Sequence, residues 1–248
     1  MIVLFAPSEG KRSGGDLPPI DATAFCCPDL FDKRLEAVRR YRDYLKTADE
    51  GALQKLFGVK KADQLAAYRA VDPLVAPTMK AILRYDGVAY EYLDYPSLDQ
   101  ESRDFIESRV LIFSNLFGPL MAGDRIPEYK LKQGEKIGDF APEKFFKTHF
   151  SEALDDRVAS HTLILDLRAG FYEKFYKITR PYVTMKFLKN GKSVSHWAKA
   201  YRGLVLRAVA QGRIETLEDL RRLPIQGLSI DRIVETPDRI EFVYEIVE

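Results

Sequence analysis

The chain is poor in the residues that build staples and metal sites. Of its 248 residues, two are cysteine, three are histidine and one is tryptophan. Cys26 and Cys27 are adjacent. A trans peptide sets their Cα atoms about 3.8 Å apart, short of the usual disulfide span. The pair therefore reads as two small apolar residues beside a Pro28 turn rather than as a staple or a redox pair. No zinc-ligand spacing is present. His149, His161 and His196 lie far apart and lack the i,i+4 or His-carboxylate spacing of a metal site, so each reads as a surface or core residue. No metal and no cofactor is expected. No apolar run approaches the roughly 18 residues of a membrane span. The opening Met1–Pro7 segment is apolar but has no basic leader, so it reads as a buried first strand and the expected address is the cytoplasm. No Pro/Gly/Ser-rich linker, repeat or low-complexity tract divides the chain, which predicts a single domain over residues 1–248.

What is present is an ordinary globular balance, 46% hydrophobic and 30% charged. The charge is unevenly placed. Between Arg168 and Arg207 stand ten basic residues against one acid, Glu173, a net of +9. Since the whole chain carries +1, the remainder carries −8. Such a segment can present a positive face that concentrates anions. Aromatics interleave it (Phe171, Tyr172, Tyr182, Trp197, Tyr201) and would serve either as stacking platforms for bases or as core.

Ile2–Ala6 reads as a strand running into the polar loop Pro7-Ser8-Glu9-Gly10-Lys11-Arg12-Ser13-Gly14-Gly15. Backbone N–H groups and Lys11 suit anion contact there. The GxxxxGK[ST] order is absent, so it is not a P-loop. Pro28 and Asp29 open a helix to about Lys46. A second helix runs from Asp49 to Phe57, Gly58 breaks it, and Lys60–Val71 forms a third. This 49–71 stretch resembles a helix-hairpin-helix, with Lys55, Gly58, Lys60 and Lys61 placed to meet a phosphate. A plain αα-hairpin with a glycine cap explains the same spacing. Pro77–Tyr85 reads as a short helix. Ser97 caps another, with Gln100 as its capping-box partner. Val110–Phe113 is a buried strand, and Asn115–Leu120 and Gly123–Lys130 are breaker-rich loops. Pro142 starts a helix to about Arg157. Leu163–Leu167 is an apolar strand that contains Asp166; pairing with a base of the positive segment would offset the cost of burying it. Asn190-Gly191 joins the strands Tyr182–Leu188 and Ser193–Trp197. Ala198–Gln211 is a helix, Thr216 caps a short one, and Ile230–Val234 pairs with Ile240–Tyr244. The pattern predicts an α/β (mixed α+β) fold, a mixed sheet flanked by helices.

Five segments in series carry a resemblance. They are Leu4–Lys11, Ala81–Tyr90, Ser114–Leu120 with Asp124, Ile126, Pro127, Tyr129, Lys130 and Leu131, Leu165–Lys174, and Ala198–Leu204. Together they are similar, in order and approximate spacing, to the YaaA family of bacterial peroxide-stress proteins. Lys130 stands where an Arg is common, and Asp166 and Arg168 replace an Asn and a small residue. The resemblance implies a positively charged cleft, a helix-hairpin-helix, DNA binding, and protection of the cell from hydrogen peroxide by limiting free iron or the DNA damage it causes. No enzymatic activity is firmly attached to the family.

Three functions are weighed. The first is nucleic-acid binding, with DNA, duplex or distorted, as the expected partner. Its candidate residues are Lys11, Arg125, Tyr129, Lys130, Tyr172, Lys174, Lys199 and Arg202, plus the hairpin residues above. The second is an enzyme acting on a nucleobase, abasic or phosphate-bearing substrate in the same cleft. Lys11, Asp124, Asp166, Lys174 and Lys199 are its candidate acid, base and nucleophile groups. The third, an iron-handling protein with no nucleic-acid ligand, has the weakest ligand inventory.

Overall fold

The most apolar strands form the centre of the fold. The computed structural model describes residues 1–194 and 197–247. Seven strands, β1 (Ile2–Phe5), β2 (Val110–Ser114), β3 (Gly118–Met121), β4 (Ile164–Leu167), β5 (Tyr182–Lys189), β6 (Leu228–Glu235) and β7 (Arg239–Ile246), lie in the order β6-β7-β5-β4-β1-β2-β3. The short strand Lys192–Ser193 pairs with β5 and completes an eight-stranded sheet. The pairs β7-β5, β5-β4, β4-β1 and β1-β2 are parallel, and both edges are antiparallel. All of β1 is buried, because strands covered on both faces read as continuous apolar runs.

The alternation of side chains along β1 divides the core. Ile2 and Leu4 face one side, with Leu111, Phe113 and Ile164. They meet Phe146, Phe150 and Leu154 of the long helix Pro142–Ala159. Val3 and Phe5 face the other side, packed in a larger cluster with Tyr41, Leu53, Ile106 and Val205 from the remaining helices. The result is the expected mixed sheet flanked by helices. Those helices include α1 (Phe31–Thr47), α2 (Glu50–Phe57), α3 (Ala62–Ala70), α4 (Val88–Leu93), α5 (Gln100–Arg109), α6 (Pro142–Ala159) and α7 (Trp197–Gln211). No helix among the described residues is long and apolar enough to cross a membrane.

Several expected elements fall differently. Thr78–Lys80 is a strand paired with Arg125–Pro127, and only Ala81–Arg84 turns helically. Long-range pairing of Thr78–Lys80 overrides the local helical preference of the Pro77–Tyr85 stretch. The same ladder puts a strand inside the expected Gly123–Lys130 loop. Gly118–Met121, expected as loop, is the edge strand β3. Pro119 is tolerated there because an edge strand need not donate on its outer side. Asp99, not Ser97, caps α5: its carboxylate accepts from the Ser102 N–H at 2.7 Å. The Ser97 hydroxyl donates instead to the Asp94 carbonyl at 3.0 Å, and Gln100 bonds Asp104 at 2.7 Å. Beyond Ser193 the expected strand does not continue to Trp197, which opens α7; Ser195 and His196 lie outside the described residues. Asn190 (φ 53°) and Gly191 (φ 72°) make the predicted hairpin turn.

Candidate functional site

In open α/β sheets a ligand crevice forms beyond the carboxyl ends of parallel strands, where the connections leave in opposite directions. β1 is such a point. The chain crosses first to β2 on one side and later returns to β4 on the other. At the carboxyl ends of β1 and β4 lies a cleft of about 380 Å³, walled by Phe5–Gly10, Leu167, Ala169, Tyr172 and Asp86–Tyr90, with Lys199 and Arg202 from α7.

The walls close tightly because two glycines permit it. Gly10 pairs with Asp86, and a Cβ at position 10 would stand 2.4 Å from the Asp86 carbonyl oxygen. Gly87 holds φ +147°, and a Cβ there would stand 2.5 Å from the Ser8 hydroxyl. Behind them Arg84 is fully buried, with no carboxylate partner among the described residues. Its guanidinium donates to the carbonyls of Arg12 (2.5 Å), Gly14 (2.8 Å) and Ile126 (3.3 Å), which pins the 11–15 loop. Sequence reasoning missed Arg84 as a clamp. Its signal was an arginine inside the otherwise apolar Ala81–Tyr85 stretch.

The cations divide into those at the cleft and those elsewhere. Lys199 and Arg202 stand three residues apart on α7, a spacing that sets them on one side of the helix. Lys199 is exposed and Arg202 half-buried. Among the described residues, neither makes a hydrogen bond or an ion pair. Burial pulls the Arg202 guanidinium below its ordinary pKa, opposed by the charge of Asp166. Lys11 and Lys130 both meet the cleft wall at Glu9. The Lys11 ammonium donates to the Ser8 and Glu9 carbonyls at 3.2 and 3.4 Å and sits 4.2 Å from the Tyr129 ring centroid. Burial, then the Lys130 charge, lowers the Lys11 pKa to about 7. Lys130 donates to the Glu9 carbonyl at 3.1 Å. The structure thus gathers Lys11, Lys130, Lys199 and Arg202 around one loop. Lys174 is exposed on the neighbouring turn Gly170–Lys174, 5.1 Å from the Phe171 ring.

Other candidates stand apart. Tyr172 lines the cleft, but Tyr129 is buried, its hydroxyl bonded to Ser114 (2.8 Å) and Tyr85 (3.0 Å). Arg125 bonds Thr23 at 3.3 Å and pairs with Asp21 at 3.6 Å, away from the cleft walls. Asp124 accepts from the N–H of Cys26 (2.9 Å) and of Met121 (3.0 Å), tying the Cys26 segment to the end of β3. Burial and the Cys26 thiol push its carboxyl up to about 8, against those N–H donors and Arg34. Asp166 pairs with Arg168 at 2.8 Å, and both are buried. The base it requires thus comes from the positive segment, and Arg168 adds nothing to the surface field. Arg207 is likewise turned inward, donating to the Leu93 carbonyl at 2.9 Å.

The α2–α3 hairpin connects to the cleft through residues 130–135. The Lys132 N–H donates to the Leu56 carbonyl at 2.8 Å, and Gln133 lines the cleft. Gly58 caps α2 at φ +69°, its N–H bonded to the Gln54 carbonyl. A Cβ at position 58 would stand 2.9 Å from Cδ of Lys132. Lys60 and Lys61 are exposed, and α3 starts with no side-chain cap. Lys55 lies 3.9 Å from Glu135.

A family model described as peroxide stress protein YaaA matches residues 1–233. The chain belongs to the YaaA family of peroxide stress proteins. An uncharacterised protein of Campylobacter jejuni is 44% identical over 248 residues, covering all of both chains. A UPF0246 protein of Corynebacterium efficiens is 34% identical over 217 residues, 85% of each chain. One of Streptomyces coelicolor is 30% identical over 236 residues, 90% of each. Family membership supports a role in peroxide stress. Four of the five segments that carried the resemblance, Leu4–Lys11, Ala81–Tyr90, Leu165–Lys174 and Ala198–Leu204, supply residues that line the cleft.

Proposed function

We propose that this protein binds DNA on the cationic surface centred on the cleft, and that this occupancy limits iron-dependent oxidation of the bound DNA under peroxide stress. The observation that carries the reading is Arg202. A guanidinium held half out of water with no hydrogen bond among the described residues is costly unless an anion completes it. A phosphate suits its fork geometry. Lys199, Lys11 and Lys130 add charge around it, and the free hairpin end at Lys60 and Lys61 offers a second phosphate contact. Fluorescence anisotropy of a labelled duplex, titrated between roughly 50 and 200 mM salt, tests this. Four cations each neutralising a phosphate give a log–log slope of about −3 to −4. A flat salt response, or no binding, refutes it.

A second reading has one observation in its favour: burial lowers the Lys11 pKa to about 7, so about half of the amine is neutral, and thus nucleophilic, at pH 7. On abasic DNA the amine would add to the C1′ aldehyde and expel water, giving an imine that borohydride reduces to a stable secondary amine. Covalent trapping that disappears in Lys11→Arg supports this chemistry. DNA binding without trapping removes it and leaves the binding reading intact.

A further inference from the structure

Two charges of opposite sign line the cleft without a protein partner among the described residues. Arg202 has no hydrogen-bond or ion-pair partner among the described residues, and neither has the Asp86 carboxylate, although both line the same space. They do not pair with each other, so each faces a complementary group only when something fills the cleft. The same cleft is also lined by the apolar and aromatic side chains of Phe5, Leu167, Tyr90 and Tyr172. Tyr90 is fixed there by its hydroxyl, which donates to the Ala6 carbonyl at 3.0 Å. At about 380 Å³ the space is within the roughly 300–1,000 Å³ of small-ligand sites and cannot admit a duplex. The complementary ligand is flat and apolar on its faces, carries a phosphate at one end, and offers an amino donor at the other. That describes a nucleotide whose base has an exocyclic amine.

We propose that the cleft receives one nucleotide swung out of the DNA helix, its phosphate on Arg202 and Lys199 and its exocyclic amino group on Asp86. This rests on the DNA-binding reading and deepens it: the surface holds the duplex, and the cleft samples a single unstacked base. Because unstacking costs least where pairing is already broken, the site favours mismatched or unpaired positions. Adenine, cytosine and guanine carry the amine that Asp86 accepts, and thymine does not.

The test uses the full chain and a duplex carrying 2-aminopurine, which has an exocyclic amine and brightens on leaving the stack, placed at a mismatch. At saturating protein the expected result is a several-fold rise in fluorescence. Ala169→Trp, which plugs the cleft from a residue in extended backbone, should give no rise when equally saturated, with its fold checked by circular dichroism. Asp86→Ala, which removes the acceptor, should reduce to about onefold the preference for adenine over thymine at the mismatched position. Saturable duplex binding by the unaltered protein with no rise overturns the cleft proposal while DNA binding stands. Absence of any duplex binding overturns both. Calorimetry with free dAMP separates the sources: tight binding of dAMP beside no rise on duplex would mean that the site takes free nucleotide, against the proposal.

Discussion

Arg202→Ala removes a guanidinium that the fold half-buries with no hydrogen bond or ion pair among the described residues. A hydrogen bond to a charged group contributes about 1.5–3 kcal/mol. At about 1.4 kcal/mol per decade, the variant should weaken duplex binding roughly 10- to 150-fold at low salt. It should also flatten the salt response, by about 0.9 on the log–log slope for one phosphate lost. Arg202→Lys keeps the charge but loses the fork, so it should restore the slope and only part of the affinity. Arg207→Ala, on the same helix but bonded inward to Leu93, is the control: it should change thermal stability and leave the slope alone. The assay is anisotropy on a labelled duplex at four or five salt concentrations. Arg202→Ala binding with unchanged affinity and slope would refute the assignment of a phosphate to this residue.

Leu4→Ala, at a fully buried position in the central strand, should lower unfolding free energy by about 2–5 kcal/mol in urea titration. Gly87→Ala forces a Cβ against the Ser8 hydroxyl at φ +147°, so it should cost about 1–3 kcal/mol and weaken DNA binding by displacing the cleft wall. Asp124 has a folded pKa of about 8 against an ordinary 3.8, so its contribution to stability is full below pH 3.8 and is lost as pH rises toward 8. Unfolding free energy measured across that window should fall with pH less steeply in Asp124→Asn than in the unaltered chain. Lys11 has the opposite sign. Its folded pKa of about 7 lies below 10.5, so stability rises from pH 7 toward 10.5, and Lys11→Met should abolish that rise.

The sequence made the central strands readable because their apolar runs and flanking turns are local signals. The Asn190-Gly191 hairpin and the Thr216 cap were legible for the same reason. The Thr78–Lys80 and Arg125–Pro127 ladder was not, since its two halves are far apart in the chain and each looks like loop or helix alone. Charge counting marked the Arg168–Arg207 segment as positive, but it could not separate Arg202, without a partner among the described residues, from Arg168, neutralised by Asp166 two residues away. Asp124 looked like an acid in a functional loop, and only the fold shows it bonded to the Cys26 backbone. Asp86 stands before Gly87, a pair that by itself reads only as a turn. Its place in the cleft depends on the pairing of Tyr85–Asp86 with Gly10–Lys11, which no local pattern announces.

The central claim is that Lys11, Lys130 and Lys199 meet at one surface that nucleic acid covers. Lysine acetylation with and without saturating duplex, read residue by residue by mass spectrometry, tests it directly. Lys199 and Lys130 should lose reactivity on DNA addition, with Lys11 following, while Lys33 on α1 and Lys144 on α6 keep theirs. Protection concentrated at Lys33 and Lys144, with Lys199 still reactive, would contradict it.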